Sequence, residues 1–306
     1  MPTSYLLFID ESFAVARDRD RVLEALTEQL PLLADGDRMA VVAFDGSEID
    51  MLTSWTGSTT RLREVLLAAR ERGAGGLHRL AELRFFESTR SDFDAGRAGR
   101  FDLSFEEQQY ARELSGQVER AVLAAAATLR GFASPPGRKV MLLLSGGWPF
   151  SPARYTVGAG AEALPVTEPG IPEGEELFGP LVGTANRLGY TLYPVDLPGL
   201  DTSPVATAAE PLPGATAGGR FSREREQEQT LLWVAEKTGG RALLDAARTG
   251  AFETAVADTR SYYWLGFEAP RDMRGEARRI RVEVDRPGVR VRLRDGIGEL
   301  SRREQV

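Results

Sequence analysis

Four apolar strand-like runs, at 4–10, 38–44, 138–144 and 190–195, constrain this chain more than any other feature. Two of them, Tyr5 to Ile9 and Val140 to Leu144, show no alternation of polar with apolar residues, so neither suits a strand with one face in water. Strands of this kind lie buried on both faces, inside a parallel sheet covered by helices. The intervals carry matching helices. Val22, Leu23, Leu26, Leu30 and Leu33 recur at three- and four-residue spacing before the Asp35-Gly36-Asp37 turn, and Leu62, Val65, Leu66 and Ala69 repeat the pattern over 59–72. Ile49 to Thr53 reads as a short edge strand, antiparallel to the strand before it. Ser104-Phe105-Glu106-Glu107 has capping-box spacing and predicts a third helix from Ser104 to about Phe132, stopped by Pro135-Pro136-Gly137. Helices over 223–237 and 251–260, with a short strand at 241–244 between them, complete the pattern. The alternation predicts an α/β fold over residues 1–260, a doubly wound and mainly parallel sheet.

Three stretches interrupt this rhythm. Residues 81–103 scatter Phe85, Phe86, Phe93 and Phe101 among charges without a clear period, and read as an insertion over one edge of the sheet. Residues 146–172 follow the strand Val140 to Leu144 and carry Trp148-Pro149-Phe150. Residues 197–221, rich in Pro, Ala, Thr and Gly, read as the most mobile segment. The tail, 261–306, is of another kind. Ile280 to Val284 and Val289 to Leu293 alternate apolar with polar residues around the turn Arg286-Pro287-Gly288, which predicts an antiparallel β extension packed by its apolar stripe on the same domain.

Composition removes several classes of function. The 306 residues include no Cys and one His, His78, which excludes disulfides, thiol nucleophiles and Cys/His zinc centres. A net charge of -7 argues against nucleic acid or an anionic membrane as partner. Residues 271–294 hold nine arginines against four acids, but Arg281, Arg290 and Arg292 alternate with apolar residues and read as one solvated sheet face. No apolar run approaches the ~20 residues of a membrane span, so no membrane insertion is expected.

In an open parallel sheet, ligands bind at the carboxyl ends of the strands. At that edge the first strand ends in Asp10-Glu11-Ser12-Phe13-Ala14, and the strand Leu142-Leu143-Leu144 ends in Ser145-Gly146. Further marks are Gly36-Asp37-Arg38, Thr238-Gly239-Gly240, Tyr262-Tyr263-x-Leu265-Gly266 and Arg279-Ile280-x-Val282. In this order and spacing the chain resembles the bacterial, acidobacterial-type VWFA-related domain family, a von Willebrand factor type A-like fold with a C-terminal β extension. The resemblance implies an exported protein, periplasmic or extracellular, without catalytic activity. It also implies a metal-ion-dependent adhesion site, matched here by Asp10 and Ser12 alone. Ala14 stands where the last serine of Asp-x-Ser-x-Ser is expected, Leu77 after Gly75-Gly76 where a threonine is, and Ser145-Gly146 lacks the acid of the fourth-strand loop. Mg²⁺ asks for near-octahedral oxygen ligands, so such a site is degenerate. Glu11 or Asp196 would be the substitutes, though strand alternation aims Glu11 away from Asp10.

The reading that follows is a non-enzymatic protein-interaction module needing no cofactor, which meets a protein partner through Glu11, Ser145, Trp148 and Phe150. Trp148 and Phe150 read either as a plug over the vacated metal position or as partner-binding anchors. Two alternatives stay open. One is a metal-dependent adhesion domain holding Mg²⁺ or Mn²⁺ weakly at Asp10 and Ser12. The other is a serine hydrolase using Ser12 or Ser145 with His78, although Leu143-Leu144-Ser145-Gly146-Gly147 lacks the first glycine of a nucleophile elbow.

Overall fold

The computed structural model describes residues 2–94, 100–133, 135, 137–157, 170–197, 217–244, 250–260, 281–286, 288 and 291–294. Among these residues five strands form one sheet: β1 (Thr3–Asp10), β2 (Arg38–Phe44), β3 (Ile49–Thr56), β4 (Arg138–Ser145) and β5 (Tyr190–Asp196). Their spatial order is β3-β2-β1-β4-β5, and every pairing is parallel except β2 with the edge strand β3. This is the expected doubly wound, mainly parallel architecture. Its edge strand runs to Thr56, three residues beyond the sequence reading.

Each apolar run is buried because it serves two cores at once. On β1, Tyr5, Leu7 and Ile9 face α1 (Ala16–Gln29) and α2 (Thr59–Arg70), while Leu6 and Phe8 face the opposite layer. On β4, Val140, Leu142 and Leu144 fall in the first core, and Met141 and Leu143 in the second. That second core is closed by α4 (Arg100–Gly131) and α6 (Gly174–Leu188), with Val234 of α7 (Ala217–Lys237). The last helix, α8 (Ala251–Arg260), returns to the first core through Phe252, which meets the Tyr5 ring edge-on at 5.0 Å. A side-chain period of two explains the assignment: a strand covered on both faces has no polar side to offer.

Several expectations are corrected. Residues 76–94 form a helix, α3 (Gly76–Asp94), where 81–103 read as irregular. Its apolar residues mark no stripe because Phe86 is buried while Leu77, Leu80 and Phe85 face water. Helix α4 starts at Arg100, so the Ser104 to Glu107 spacing lies inside it and marks no terminus. The stretch 146–172 contains a short helix, α5 (Pro152–Val157), with 158–169 outside the described residues. Of 197–221, residues 198–216 lie outside them and α7 begins at Ala217. The strand predicted at 241–244 reduces to one bridge, Val195 with Leu243. The β extension falls largely outside the described residues, on 261–280, 287, 289–290 and 295–306. Its described parts, 281–286 and 291–294, contain no strand, and Val284 and Val291 are exposed. Polar contacts hold this segment instead. Arg292 pairs with Asp258 at 2.6 Å, Arg294 donates to the Gly189 carbonyl at 2.6 Å, and Arg294 makes an isolated bridge with Thr238.

Candidate functional site

The chain leaves β1 for β2 on one side and later enters β4 on the other, so the strand order reverses at β1. Such a reversal opens a crevice at the carboxyl ends of the two strands. Asp10 closes β1 and Ser145 closes β4 at that point. Glycines let the surrounding loops approach closely. A Cβ on Gly146 would lie 2.0 Å from the Phe13 carbonyl oxygen, and one on Gly76 2.4 Å from that of Ala14. Gly75 and Gly76 donate their N–H groups to the Glu11 and Ala14 carbonyls, each at 2.8 Å. The start of α3 is thereby sewn onto the loop after β1.

Asp10 is fully buried and both its oxygens are engaged. Oδ1 accepts the Ser12 N–H at 3.0 Å, the Ser12 hydroxyl at 2.5 Å and the Phe13 N–H at 3.4 Å. Oδ2 accepts the indole N–H of Trp148 at 2.6 Å, across 138 residues of sequence. Burial pushes the Asp10 carboxyl above its usual range, opposed by the Ser12 and Trp148 hydrogen bonds and by the charge of Arg79. Arg79, in the first turns of α3, donates from Nε to the Ser12 carbonyl at 2.7 Å and lays its guanidinium 3.8 Å above the Phe13 ring centroid.

Trp148 has 0% exposure and stacks on Phe178 of α6 at 6.3 Å. The loop that carries it is tied at several points. Gly147 takes φ +114, a conformation open to glycine, with the Gln227 side chain against it. Phe150 donates its N–H to the Glu226 carbonyl at 3.0 Å. Ser151 gives its N–H to the Glu226 carboxylate at 2.8 Å and its hydroxyl to Glu173 at 2.5 Å. Half-buried Phe150 stacks on Phe178 and meets Trp233. Burial raises the Glu226 carboxyl above its ordinary range, although the Ser151 N–H partly offsets this.

The predicted partner-binding residues therefore do not make an exposed surface. Glu11 is buried, and its Oε1 accepts Arg72 Nε at 2.7 Å with Arg19 Nη1 3.8 Å away. Arg72 also bonds Asp50 at 2.6 Å. Ser145 is buried and accepts the Gly147 N–H at 3.2 Å. Of the four, Phe150 alone keeps partial exposure. Leu77, which stands in place of the expected threonine, is 56% exposed. Asp196 ends β5 opposite Ser145. His78 faces water with its side chain 80% exposed, 3.1 Å from Glu82, and neither Ser12 nor Ser145 hydrogen-bonds to it.

Three features escaped sequence reasoning: the Trp148–Asp10 hydrogen bond, Arg79, and the two arginines on Glu11. One signal existed. A buried tryptophan must satisfy its N–H, and a loop beside an acidic strand end supplies an acceptor. Among the described residues, no three His, Cys, Asp or Glu side chains converge as metal ligands, and no helix is long and apolar enough to cross a membrane.

No protein-family model matches the chain, and no curated protein matches it. Solved structures do resemble it. The vWF domain of the type V pili tip protein Mfa5 from Porphyromonas gingivalis is 12% identical, with 87% of this chain and 98% of that one covered at a TM-score of 0.43. The pilus adhesin SpaC from Lactobacillus rhamnosus GG, in its open conformation, is 11% identical, with 84% and 29% covered at 0.44. The conserved hypothetical protein BatB from Bacteroides thetaiotaomicron is 10% identical, with 84% and 99% covered at 0.34.

Proposed function

We propose that this chain is a non-enzymatic protein-interaction module of von Willebrand A type whose metal position has degenerated and is filled from within. The observation that carries the reading is the double engagement of Asp10, by Ser12 on Oδ1 and by the Trp148 indole on Oδ2. A hard divalent cation needs oxygen acceptors with free lone pairs. The indole N–H points a positive edge at one oxygen, the buried methyl of Ala14 offers no ligand, and the Ser145 hydroxyl is committed to Gly147. These residues do not fit Mg²⁺ or Mn²⁺. Of the two roles open to Trp148, plug and partner anchor, its burial favours the plug.

Binding then falls to what this edge presents to water, namely Leu77 and Leu80 on α3 and the half-buried Phe150. The partner is a protein surface with an apolar centre, in keeping with a net charge of -7 that disfavours polyanions. The test has two parts. Thermal unfolding of the full chain with and without Mg²⁺ or Mn²⁺ should give one midpoint, because an ion at 100 times its Kd would stabilise the native state by ~2.7 kcal/mol. Capture from the native host should retain the same protein in the presence of chelator and lose it with the Leu77→Glu/Leu80→Glu double variant. Loss of binding on chelation would establish the metal-dependent adhesion reading instead.

A further inference from the structure

We propose that Arg79 is the built-in cation of this edge: its guanidinium, fixed on Ser12 and Phe13, supplies beside Asp10 the positive charge that a bound ion would otherwise have to bring. The inference rests on the metal-free reading above and goes beyond it, since a degenerate site could equally have been left uncompensated.

Three observations place Arg79 in that role. The first is position. Gly75 and Gly76 carry no side chain and donate to the carbonyls of Glu11 and Ala14, so the first turn of α3 lies directly on the loop after β1. Arg79 stands three residues into that helix, and its own N–H bonds the Gly75 carbonyl at 3.2 Å. The second is attachment. Arg79 Nε holds the carbonyl of Ser12, the residue whose N–H and hydroxyl hold Asp10 Oδ1, so one residue bridges the acid and the cation. The guanidinium plane on the Phe13 ring fixes the other direction, an orientation that suits Arg and not a flexible ammonium. The third is that Arg79 Nη1 is buried and has no hydrogen-bond partner among the described residues. A guanidinium nitrogen left so is costly unless negative potential faces it, and Asp10 is the buried acid that supplies it. Glu82 on the same helix adds to that potential, whereas Arg120 of α4 opposes it and Tyr110 is the neutral neighbour.

A side chain that merely packed on Phe13 would be replaceable by a neutral one of similar reach; one that balances Asp10 would be coupled to it. The test is a double-mutant cycle on the full chain, Asp10→Asn with Arg79→Met, read as unfolding equilibrium constants from urea titration. Arg79→Met is expected to destabilise strongly in the native background and far less in the Asp10→Asn background, a departure from additivity of about tenfold or more in the equilibrium constant. Arg79→Lys, which keeps the charge but loses the plane on Phe13 and the Nε donor to Ser12, should keep only part of the coupling. If Arg79→Met does not fold, Arg79→Gln, which retains a donor for the Ser12 carbonyl, is read in the same cycle. Additive costs, or Arg79→Lys indistinguishable from Arg79→Met, would overturn the assignment. A parallel titration of the unmutated chain with Mn²⁺ separates the two failures. A shifted midpoint there sinks the metal-free reading, whereas an unmoved midpoint with an additive cycle sinks only the role of Arg79.

Discussion

Replacing Trp148 by phenylalanine removes one donor, the indole N–H, from a carboxylate that has no access to water. The variant keeps an aromatic ring to stack on Phe178. It leaves Asp10 Oδ2 without its 2.6 Å partner. A hydrogen bond to a charged group contributes ~1.5–3 kcal/mol. The smaller ring adds a packing loss of about 1–2 kcal/mol in a site whose neighbours relax only in part. The expected destabilisation is therefore roughly 3–5 kcal/mol, which shifts the thermal midpoint by on the order of 10 °C in a chain of this size. Urea unfolding followed by circular dichroism is the suitable assay, because the substitution removes one of only four tryptophans and alters the fluorescence signal. The cycle with Asp10→Asn isolates the hydrogen bond from the packing loss, and a coupling of about 1–2 kcal/mol is expected. A total loss under about 1 kcal/mol, or an additive cycle, would refute the view that the indole caps Asp10.

Four further outcomes follow from the same geometry. Leu143→Asp places an unpaired charge in the second core at a residue with 1% exposure and should leave no folded protein by circular dichroism, whereas Leu143→Ala should cost about 3 kcal/mol and still fold. Gly146→Ala brings a methyl against the Phe13 carbonyl and should cost about 2–3 kcal/mol in urea; a neutral result would mean that the two loops are not in contact. Arg19 is fully buried and donates to the Arg70 and Gly73 carbonyls at the end of α2, so Arg19→Met should destabilise by about 3 kcal/mol, and a loss below about 1 kcal/mol would show that water replaces it. Because the folded chain binds the Glu226 proton more tightly than the unfolded chain does, ionisation costs stability as pH rises above the ordinary carboxyl range. Glu226→Gln should then gain on the unmutated chain as pH rises above the ordinary carboxyl range of about 4, and urea midpoints that stay parallel as pH rises would contradict the raised pKa.

The apolar runs determined the sheet by themselves, since Tyr5 to Ile9 and Val140 to Leu144 have no polar side and so require cover on both faces. The edge strand after β2, the helices over α1 and α2 and the acid at the end of β1 were legible for the same local reason: periodicity and turn chemistry act within a few residues. α3 was not legible, because its apolar residues are split between the core and water. The tail's alternation was local evidence for strands that its described residues do not form. What tertiary structure alone decided is the state of the site. Glu11 is paired with an arginine 61 positions away, and Asp10 is capped by an indole 138 positions away. No local rule reaches so far. Whether a polar group at a strand end faces solvent, an ion or a neighbour depends on which loops close over it, and that closure is set by the packing of α3, α6 and α7 around the crevice.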